Sequence, residues 1–566
     1  MEKLLNKNKI IRFIIITTLI VSFLIPYSKI ILDLPLYGDA TIHANISKNM
    51  IENGVLNTWS SYPPLYNFFQ IAFYKIFGEI GFNILVILSL VILAISIYLL
   101  IYSLTNKFYL GIISIFILLA SPKIAYYTSR MYMEILLSAF LIITIYFFIK
   151  FLKNPNYINV ILLALFCAIT SSIKQQGLFI LFPSLVIILF IKYLKIRKDD
   201  KRYFTFLISF ILIFILLISP FYLILFHTSG NIIIGNEGFK IIKTINSVGQ
   251  KIANYQKSPS EYLDADNKWK ETIKDIRKDK FYTAYSRAED RHIFPLDVFT
   301  SWDKFNSIHS LYFPEYKSHK AKYLGIIMQL LLILGIIIFI INIFQKNKNN
   351  TPNNKILGLF LIIFLLNNYF LFQKNTDQER YHLFISIIFI IFIILSLDKI
   401  TSFFKKYINV PKNYLFLTPL IFLLSFNWIY NFTNNNIEKY YHNANLQIYS
   451  SSVGGINSII EAGNWLSENT NSDDRIYQNC GNELKYYSSR DVTGGWEYYF
   501  LNIDKLKELL KDYKIKYLVI YQSQVVKDNN WKHICWVPET FKERVDNNFS
   551  LIYTSSVNDI FVYRIE

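Results

Sequence analysis

The stretch GFNILVILSLVILAISIYLLIYSL at residues 81–104 decides the fold class, because it carries no charged side chain. A helix needs about 20 apolar residues to cross the hydrocarbon layer of a bilayer. Apolar residues make up 53% of the chain and charged residues 17%, whereas soluble domains carry about 25% charge. The sequence predicts an α-helical polytopic membrane protein with about eleven transmembrane helices, at 10–31, 81–104, 108–122, 133–151, 157–172, 177–194, 203–227, 323–344, 356–372, 382–398 and 411–431.

Basic residues predict how these helices are oriented. If the N-terminus is cytoplasmic, the cytoplasmic segments hold twenty Lys and Arg, and the short outer loops hold eight. Short cytoplasmic loops are the ones enriched in basic residues. Much of the net charge of +18 is therefore a topology signal, and no nucleic-acid partner is expected. We expect a multi-pass protein of the cytoplasmic membrane, in contact with membrane lipids, with its C-terminal region outside.

The chain is predicted to contain two domains. Residues 1–431 hold the spans and the outer loops 32–80 and 228–322, whereas residues 432–566 are too polar for the membrane. Alternating helical and strand-like segments predict a small extracytoplasmic α/β domain at 432–566. Its helices are expected at Ile456–Leu466 and Ile503–Tyr513, and its strands at Ile515–Tyr521, Phe549–Thr554 and Asp559–Ile565.

The usual motifs of soluble enzymes are absent from the sequence. It contains no Gly-rich nucleotide loop, no HExxH, no GxSxG and no CxxC pair. Its three cysteines exclude a disulfide scaffold and a Cys-rich metal module. Cys480 and Cys535 either pair in an oxidising compartment or remain two partly buried thiols. Any chemistry is therefore expected on polar residues at the outer membrane boundary.

The first acidic candidate, Asp39, follows the first span directly. Gly38 allows a sharp turn, and residues 40–51 are predicted to form an amphipathic interfacial helix with Asp39 at its N-terminus. Asp is a favoured N-cap residue, so Asp39 is either a helix cap or a carboxylate with a catalytic role. His43 lies one turn further, where a surface or interfacial histidine is the default interpretation.

The second acidic candidate, Glu134, lies at the outer start of the fourth span. A carboxylate at the edge of a span is costly unless it is paired or hydrated. Glu134 therefore either has a functional role or forms an i, i+4 ion pair with Arg130. The earlier segment Tyr62-Pro63-Pro64-Leu65-Tyr66 predicts a rigid turn beside aromatic interfacial anchors.

The basic candidates are Lys174 and Arg380, both in predicted outer loops. Basic residues on that side oppose the topology bias and favour an anionic partner. Phosphate is the natural one, because Arg offers a planar fork and Lys a point charge. The alternative is binding to lipid headgroups or snorkelling along the bilayer edge.

Together these residues resemble the GT-C glycosyltransferases, and most closely the group that contains protein O-mannosyltransferases and lipid A aminoarabinose transferases. The resemblance covers roughly residues 1–400. The segments that carry it are Asp39 with Asn53-Gly54, Pro63-Pro64-Leu65-Tyr66 with Phe77-Gly78, Tyr126 through Glu134, Lys174-Gln175-Gln176-Gly177 and Gln378-Glu379-Arg380-Tyr381.

The resemblance implies an inverting transfer of one sugar from a polyprenyl-phosphate donor to a protein, lipid or glycan at the outer face. It implies catalytic roles for Asp39, as general base, and for Glu134. Glu134 would either hold a divalent cation, Mg²⁺ or Mn²⁺, near the phosphate or orient Arg130 or the acceptor. The donor phosphate would be bound by Lys174, Arg380 and Tyr381. The substrate loop would contain His43, Tyr62, Pro63 and Pro64.

Other functions remain open on the sequence alone. The main alternative is a transporter or flippase of lipid-linked saccharides, although the spans carry almost no charge and the chain shows no internal duplication. A membrane anchor for the C-terminal domain and an oligosaccharyltransferase are further alternatives. An anchor would not need eleven spans. The oligosaccharyltransferase alternative rests only on a weak similarity of Gly494-Gly495-Trp496-Glu497-Tyr498-Tyr499 to the Trp-Trp-Asp motif of those enzymes.

Overall fold

The structure is a computed structural model, and its described residues form two compact units. The first unit holds the described residues of 9–33 and 50–407; the second holds residues 35–49 and the described residues from 455 onward. The structure describes residues 9–33, 35–36, 39–58, 62–119, 124, 127–128, 131–196, 202–229, 330–338, 341, 352–368, 383–407, 455–478, 483–494, 501–521, 539–556 and 558–565.

The first unit is helical in the part that the structure describes. The helices are α1 (Lys9–Asp33), α2 (Asp39–Asn53), α3 (Leu65–Phe77), α4 (Ile80–Thr105), α5 (Phe108–Leu119), α6 (Glu134–Lys153), α7 (Tyr157–Ile173), α8 (Phe182–Ile196), α9 (Arg202–Ser229), α10 (Pro352–Asn368) and α11 (Leu383–Tyr407). A π-helical turn, Gly177–Leu181, leads into α8, and a short helical stretch at 330–338 precedes α10.

The chain is a multi-pass membrane protein. Within the described residues, four helical segments are long and apolar enough to cross a bilayer: Ile80–Thr105, Glu134–Lys153, Gly177–Leu194 and Arg202–Thr228. Three shorter apolar helices accompany them: Arg12–Ser28, Phe108–Leu119 and Tyr157–Ile173. Helices also cover most of the predicted spans 356–372 and 382–398. The predicted span 411–431 and most of 323–344 lie outside the described residues, so the number eleven stays a prediction.

Buried hydrogen bonds between polar groups fix how the helices of the first unit are aligned with one another. The amide of Asn83 in α4 donates to the carbonyl of Ile31 in α1 at 2.5 Å. The hydroxyls of Thr144 in α6 and Thr170 in α7 lie 3.3 Å apart. Such bonds matter in an apolar bundle, because an unsatisfied polar group there costs several kcal/mol. They align the end of α7 with the start of α6.

The second unit contains four helices and five strands in its described residues. These elements are α12 (Gly455–Asn469), β1 (Arg475–Gln478), α13 (Glu483–Ser488), β2 (Asp491–Gly494), α14 (Ile503–Asp512), β3 (Ile515–Tyr521), α15 (Glu539–Asp546), β4 (Ser550–Thr554) and β5 (Ile560–Arg564). The strands form one mixed sheet of order β2-β1-β3-β5-β4. Strand β1 pairs in parallel with β2 and β3, whereas β5 pairs antiparallel with β3 and β4.

Alternation along β3 divides the core of this sheet into two layers. Val519 and Tyr521 pack with α12 on one face, and Leu518 and Ile520 pack with α14 and α15 on the other. This is the period of two that a strand buried on both faces requires. The two helices and three strands predicted here are confirmed, each to within a few residues. The predicted domain boundary at 431–432 lies outside the described residues.

Candidate active site

Glu134 is placed by a strained loop that the sequence did not reveal. Met131 adopts a left-handed backbone conformation, with φ of 54°, and its amide donates to the carbonyl of Thr128 at 3.0 Å. Few residues other than glycine adopt this conformation, because it crowds the side chain. Thr128 and Met131, the residues at the two ends of this turn, are almost inaccessible to solvent. The turn starts α6 at Glu134, inside the protein rather than at its surface.

Lys174 is placed by a break between two helices. It caps the C-terminus of α7 in an extended conformation, with φ of −152° and ψ of 144°. The chain then turns back sharply, so that the amide of Gly177 donates to the carbonyl of Lys174 at 3.1 Å. A Cβ at Gly177 would lie 2.5 Å from the backbone nitrogen of Ser171, so any larger residue would force the backbone of this turn to shift. The Lys-x-x-Gly spacing thus has a direct structural reason.

These two placements bring Glu134 and Lys174 into one ion pair. The Nζ atom of Lys174 donates to Oε1 of Glu134 at 2.6 Å, and the two side chains are only 4% and 5% exposed. A buried pair of this kind offsets the cost of removing both charges from water, whereas a single buried charge would not be stable. The alternative pairing with Arg130 concerns a residue outside the described part of the chain. The partner that the structure shows for Glu134 is Lys174, forty residues away.

The segment around the two prolines packs beside this ion pair. Pro63 and Pro64 are buried, and Pro64 directly precedes α3. Tyr66 packs with Met133, Leu137 and Ile173, of which Met133 and Ile173 directly precede the two charged residues in the chain. Burial, and secondarily the charge of Glu134, raise the pKa of Tyr66. Three predicted site segments, distant in sequence, therefore form one cluster.

Tyr62 supplies an aromatic face to the same cluster. The Nζ atom of Lys174 lies 5.7 Å from the centre of the Tyr62 ring. This is within the range of a cation–π contact, which stabilises a cation without neutralising it. The ammonium of Lys174 is thus surrounded by a carboxylate and an aromatic ring. The residue patterns identify each of these residues separately, and only the family resemblance predicts that they belong to one site.

Asp39 and His43 belong to the second compact unit. Helix α2 begins at Asp39, which confirms the predicted helix N-terminus. His43 is only 4% exposed, so it is a buried histidine and the expectation of a surface histidine is wrong. Thr41, Ala44 and Ser47, at i, i+3 and i+6 spacing, are fully buried too, so one face of α2 is packed against the protein.

Several predicted site residues lie outside the described part of the chain. They are Arg380 and Tyr381 of the phosphate-binding prediction, Arg130, and the two cysteines Cys480 and Cys535. Within the described residues, no group of three or more His, Cys, Asp or Glu side chains could hold a metal ion. The carboxylate of Glu134 is already bound by Lys174, so we assign no step of the chemistry to a divalent cation.

An apolar groove begins four residues after Lys174. It is formed by the π-helical turn, α8 and α9. Tyr222 from α9 ties this groove to the end of α7, because its hydroxyl donates to the carbonyl of Ser171 at 3.0 Å. The residues that line the groove are Leu178, Phe182, Pro183, Val186, Ile187, Ile211, Phe214, Ile215, Ile218 and Tyr222.

Part of the chain matches a known protein family. Residues 61–223 match the family described as dolichyl-phosphate-mannose-protein mannosyltransferase. The predicted resemblance to this family is thereby confirmed for that segment. It contains Tyr62, the two prolines, Glu134 and Lys174, whereas Asp39 and Arg380 lie outside it. No curated protein matches the sequence.

Two solved structures align with nearly the whole chain. Both are crystal structures of ArnT from Cupriavidus metallidurans, one bound to undecaprenyl phosphate and one in the apo state. In the first, 97% of each chain is covered at 11% identity, with a TM-score of 0.46. In the second, 97% of each chain is covered at 13% identity, with a TM-score of 0.47.

Proposed function

We propose that this protein is a membrane glycosyltransferase that transfers one sugar from a polyprenyl-phosphate donor to an acceptor at the outer face of the cytoplasmic membrane. The observation that carries the proposal is the buried Glu134–Lys174 pair beside the Tyr62-Pro63-Pro64 segment. All of these residues lie in the segment that matches the mannosyltransferase family. A preorganised charge cluster of this kind suits an enzyme better than a passive membrane anchor.

In this proposal Lys174 stabilises the phosphate of the donor. The charge on the phosphate increases as the sugar departs, and a fixed ammonium in a site that excludes water stabilises that charge. Glu134 positions the ammonium of Lys174 by accepting its hydrogen bond, and the ring of Tyr62 makes a cation–π contact with the same ammonium. Arg380 and Tyr381 are proposed to add a second phosphate contact. The apolar groove between α8 and α9 is proposed to bind the polyprenyl chain.

Asp39 is proposed as the general base. It accepts the proton of the acceptor hydroxyl while the hydroxyl oxygen bonds to the anomeric carbon of the sugar. The bond between that carbon and the phosphate oxygen breaks, and polyprenyl phosphate leaves with the bonding electrons. Attack opposite the departing phosphate inverts the anomeric configuration. His43, Pro63 and Pro64 are proposed to shape the substrate side of this loop.

The test is sugar transfer by the purified protein in proteoliposomes. A panel of radiolabelled polyprenyl-phosphate sugars serves as donor, and membrane extracts serve as acceptor. We expect Asp39→Asn to lower transfer by at least about 100-fold, since general bases contribute this much or more. Asp33→Asn is the matched control, because it makes the same chemical change six residues earlier. Equal activity of the wild type and Asp39→Asn would refute the assignment.

A further inference from the structure

The segment that carries Asp39 is held at both ends by two adjacent tyrosines of α13. The hydroxyl of Tyr487 donates to the backbone carbonyl of Leu36 at 2.7 Å, three residues before Asp39. At the other end, Nζ of Lys48 lies 4.1 Å from the centre of the Tyr486 ring. All of these residues belong to the second compact unit. Asp39 therefore lies between two contacts made by one short helix.

Helix α13 is itself firmly attached to the sheet. It connects the parallel strands β1 and β2, and its residue Leu484 lies in the core between α12 and the sheet. A Cβ at Gly463 in α12 would lie 2.6 Å from Cβ of Tyr487, so the two helices approach as closely as glycine permits. Motion of Tyr487 relative to the sheet is thus restricted by backbone packing.

We propose that the C-terminal sheet unit positions the catalytic loop, with Tyr487 and the Lys48–Tyr486 contact as its positioning residues. This inference rests on the proposed role of Asp39 as general base. The hydrogen bond to Leu36 fixes the backbone where the chain enters α2, and the cation–π contact fixes the helix two turns after Asp39. A displacement of about 1 Å in a reacting group can cost about 100-fold in rate, so such anchoring affects catalysis directly.

The test compares two Tyr→Phe variants of the full-length protein in the transfer assay. Tyr487→Phe removes the bond to Leu36, and Tyr553→Phe removes a hydroxyl that donates to Glu461 at 2.8 Å elsewhere in the same unit. We expect Tyr487→Phe to lower kcat by roughly tenfold with an unchanged KM for the donor. Tyr553→Phe should leave kcat unchanged, although it removes a hydrogen bond of similar length.

A second variant guards against a general loss of folding. Lys48→Met keeps the side-chain stem but removes the charge above the Tyr486 ring, and it should also lower kcat at constant KM. Thermal unfolding of all three variants is recorded alongside. If Tyr487→Phe and Tyr553→Phe lose the same stability and the same activity, α13 has no positioning role and the inference is overturned.

Combination with Asp39→Asn separates this inference from the proposed function. When the base is absent, its position no longer matters, so adding Tyr487→Phe should cause no further loss. An additional tenfold loss in the double variant would overturn the positioning role while leaving the general base intact. If Asp39→Asn alone retains full activity, the proposed function fails first, whatever Tyr487→Phe does.

Discussion

The buried ion pair between Glu134 and Lys174 allows the sharpest energetic prediction. Replacing Glu134 with Gln leaves the ammonium of Lys174 buried without its counter-charge. Because both side chains are about 5% exposed and joined at 2.6 Å, the cost should resemble that of other broken buried pairs, about 3 to 5 kcal/mol. Lys174→Met leaves the carboxylate of Glu134 buried without its counter-charge and should lower the free energy of unfolding by a similar amount.

The double variant Glu134→Gln/Lys174→Met should be more stable than either single variant. Removing both charges also removes the desolvation cost, and buried pairs replaced in this way often lose little stability. The coupling energy between the two positions should therefore exceed about 1 kcal/mol. Unfolding by SDS in mixed micelles, followed by far-UV circular dichroism, measures all four proteins under the same conditions.

The matched control is a more exposed ion pair in the same unit. Lys107 and Asp398 also pair, but their side chains are 31% and 22% exposed. Asp398→Asn should cost less than about 1 kcal/mol, as is usual for solvated pairs. If Glu134→Gln costs no more than Asp398→Asn, and the double variant equals the sum of the singles, the charges at 134 and 174 are not coupled. The proposed positioning of the Lys174 ammonium would then be refuted.

Three further predictions concern residues that shape the site and the sheet. Gly177→Ala should cost about 1 to 3 kcal/mol in the same SDS assay, because its Cβ would clash with the backbone of Ser171. Tyr222→Phe should cost about 1 kcal/mol, since it removes the buried bond to the Ser171 carbonyl. In the second unit, burial raises the pKa of Asp474, but hydrogen bonds from Lys516 and from the amide of Asn471 lower it by more. A lowered carboxyl pKa contributes stability that is lost as pH falls below about 4, so hydrogen exchange in β1 should become less acid-sensitive in Asp474→Asn. Unchanged stability in the first two variants, or an unchanged acid response in the third, would contradict these expectations.

Local elements were predictable because their signals are local. The apolar stretch 81–104 lies inside a long helix, Ile80–Thr105, since it carries no charge and no helix breaker. The strand Ile515–Tyr521 was predicted with its exact bounds, because a β-branched apolar run follows a helix with a strong apolar stripe. Such patterns need no knowledge of distant residues.

The contacts between distant segments were not predictable in the same way. Glu134 was expected to pair with Arg130 if it had a structural role, because i, i+4 spacing is the signal that a sequence shows. Its partner Lys174 is forty residues away, and the packing of α7 against α6 brings the end of α7 to the start of α6. The hydrogen bond from Tyr487 to Leu36 spans 451 residues and has no sequence signature at all.

The burial of His43 was not predictable from the residues around it in the chain. Its surroundings in the chain are polar, and the mixed pattern of α2 suggested a helix at the membrane surface. Burial depends on what packs against a helix, and one face of α2, with Thr41, Ala44 and Ser47, is fully buried. A short helix with many small residues, such as Ala40, Ala44 and Ser47, can pack closely in this way, which is a signal that could have been used.

The most direct test of the central claim is the fate of a doubly labelled donor in proteoliposomes. One label marks the sugar and the other marks the polyprenyl phosphate. We expect the wild-type protein to separate the two labels, with sugar joined to acceptor and polyprenyl phosphate released, and Asp39→Asn to leave them joined. Movement of both labels together across the bilayer, with the donor intact, would contradict the glycosyltransferase and identify a flippase instead.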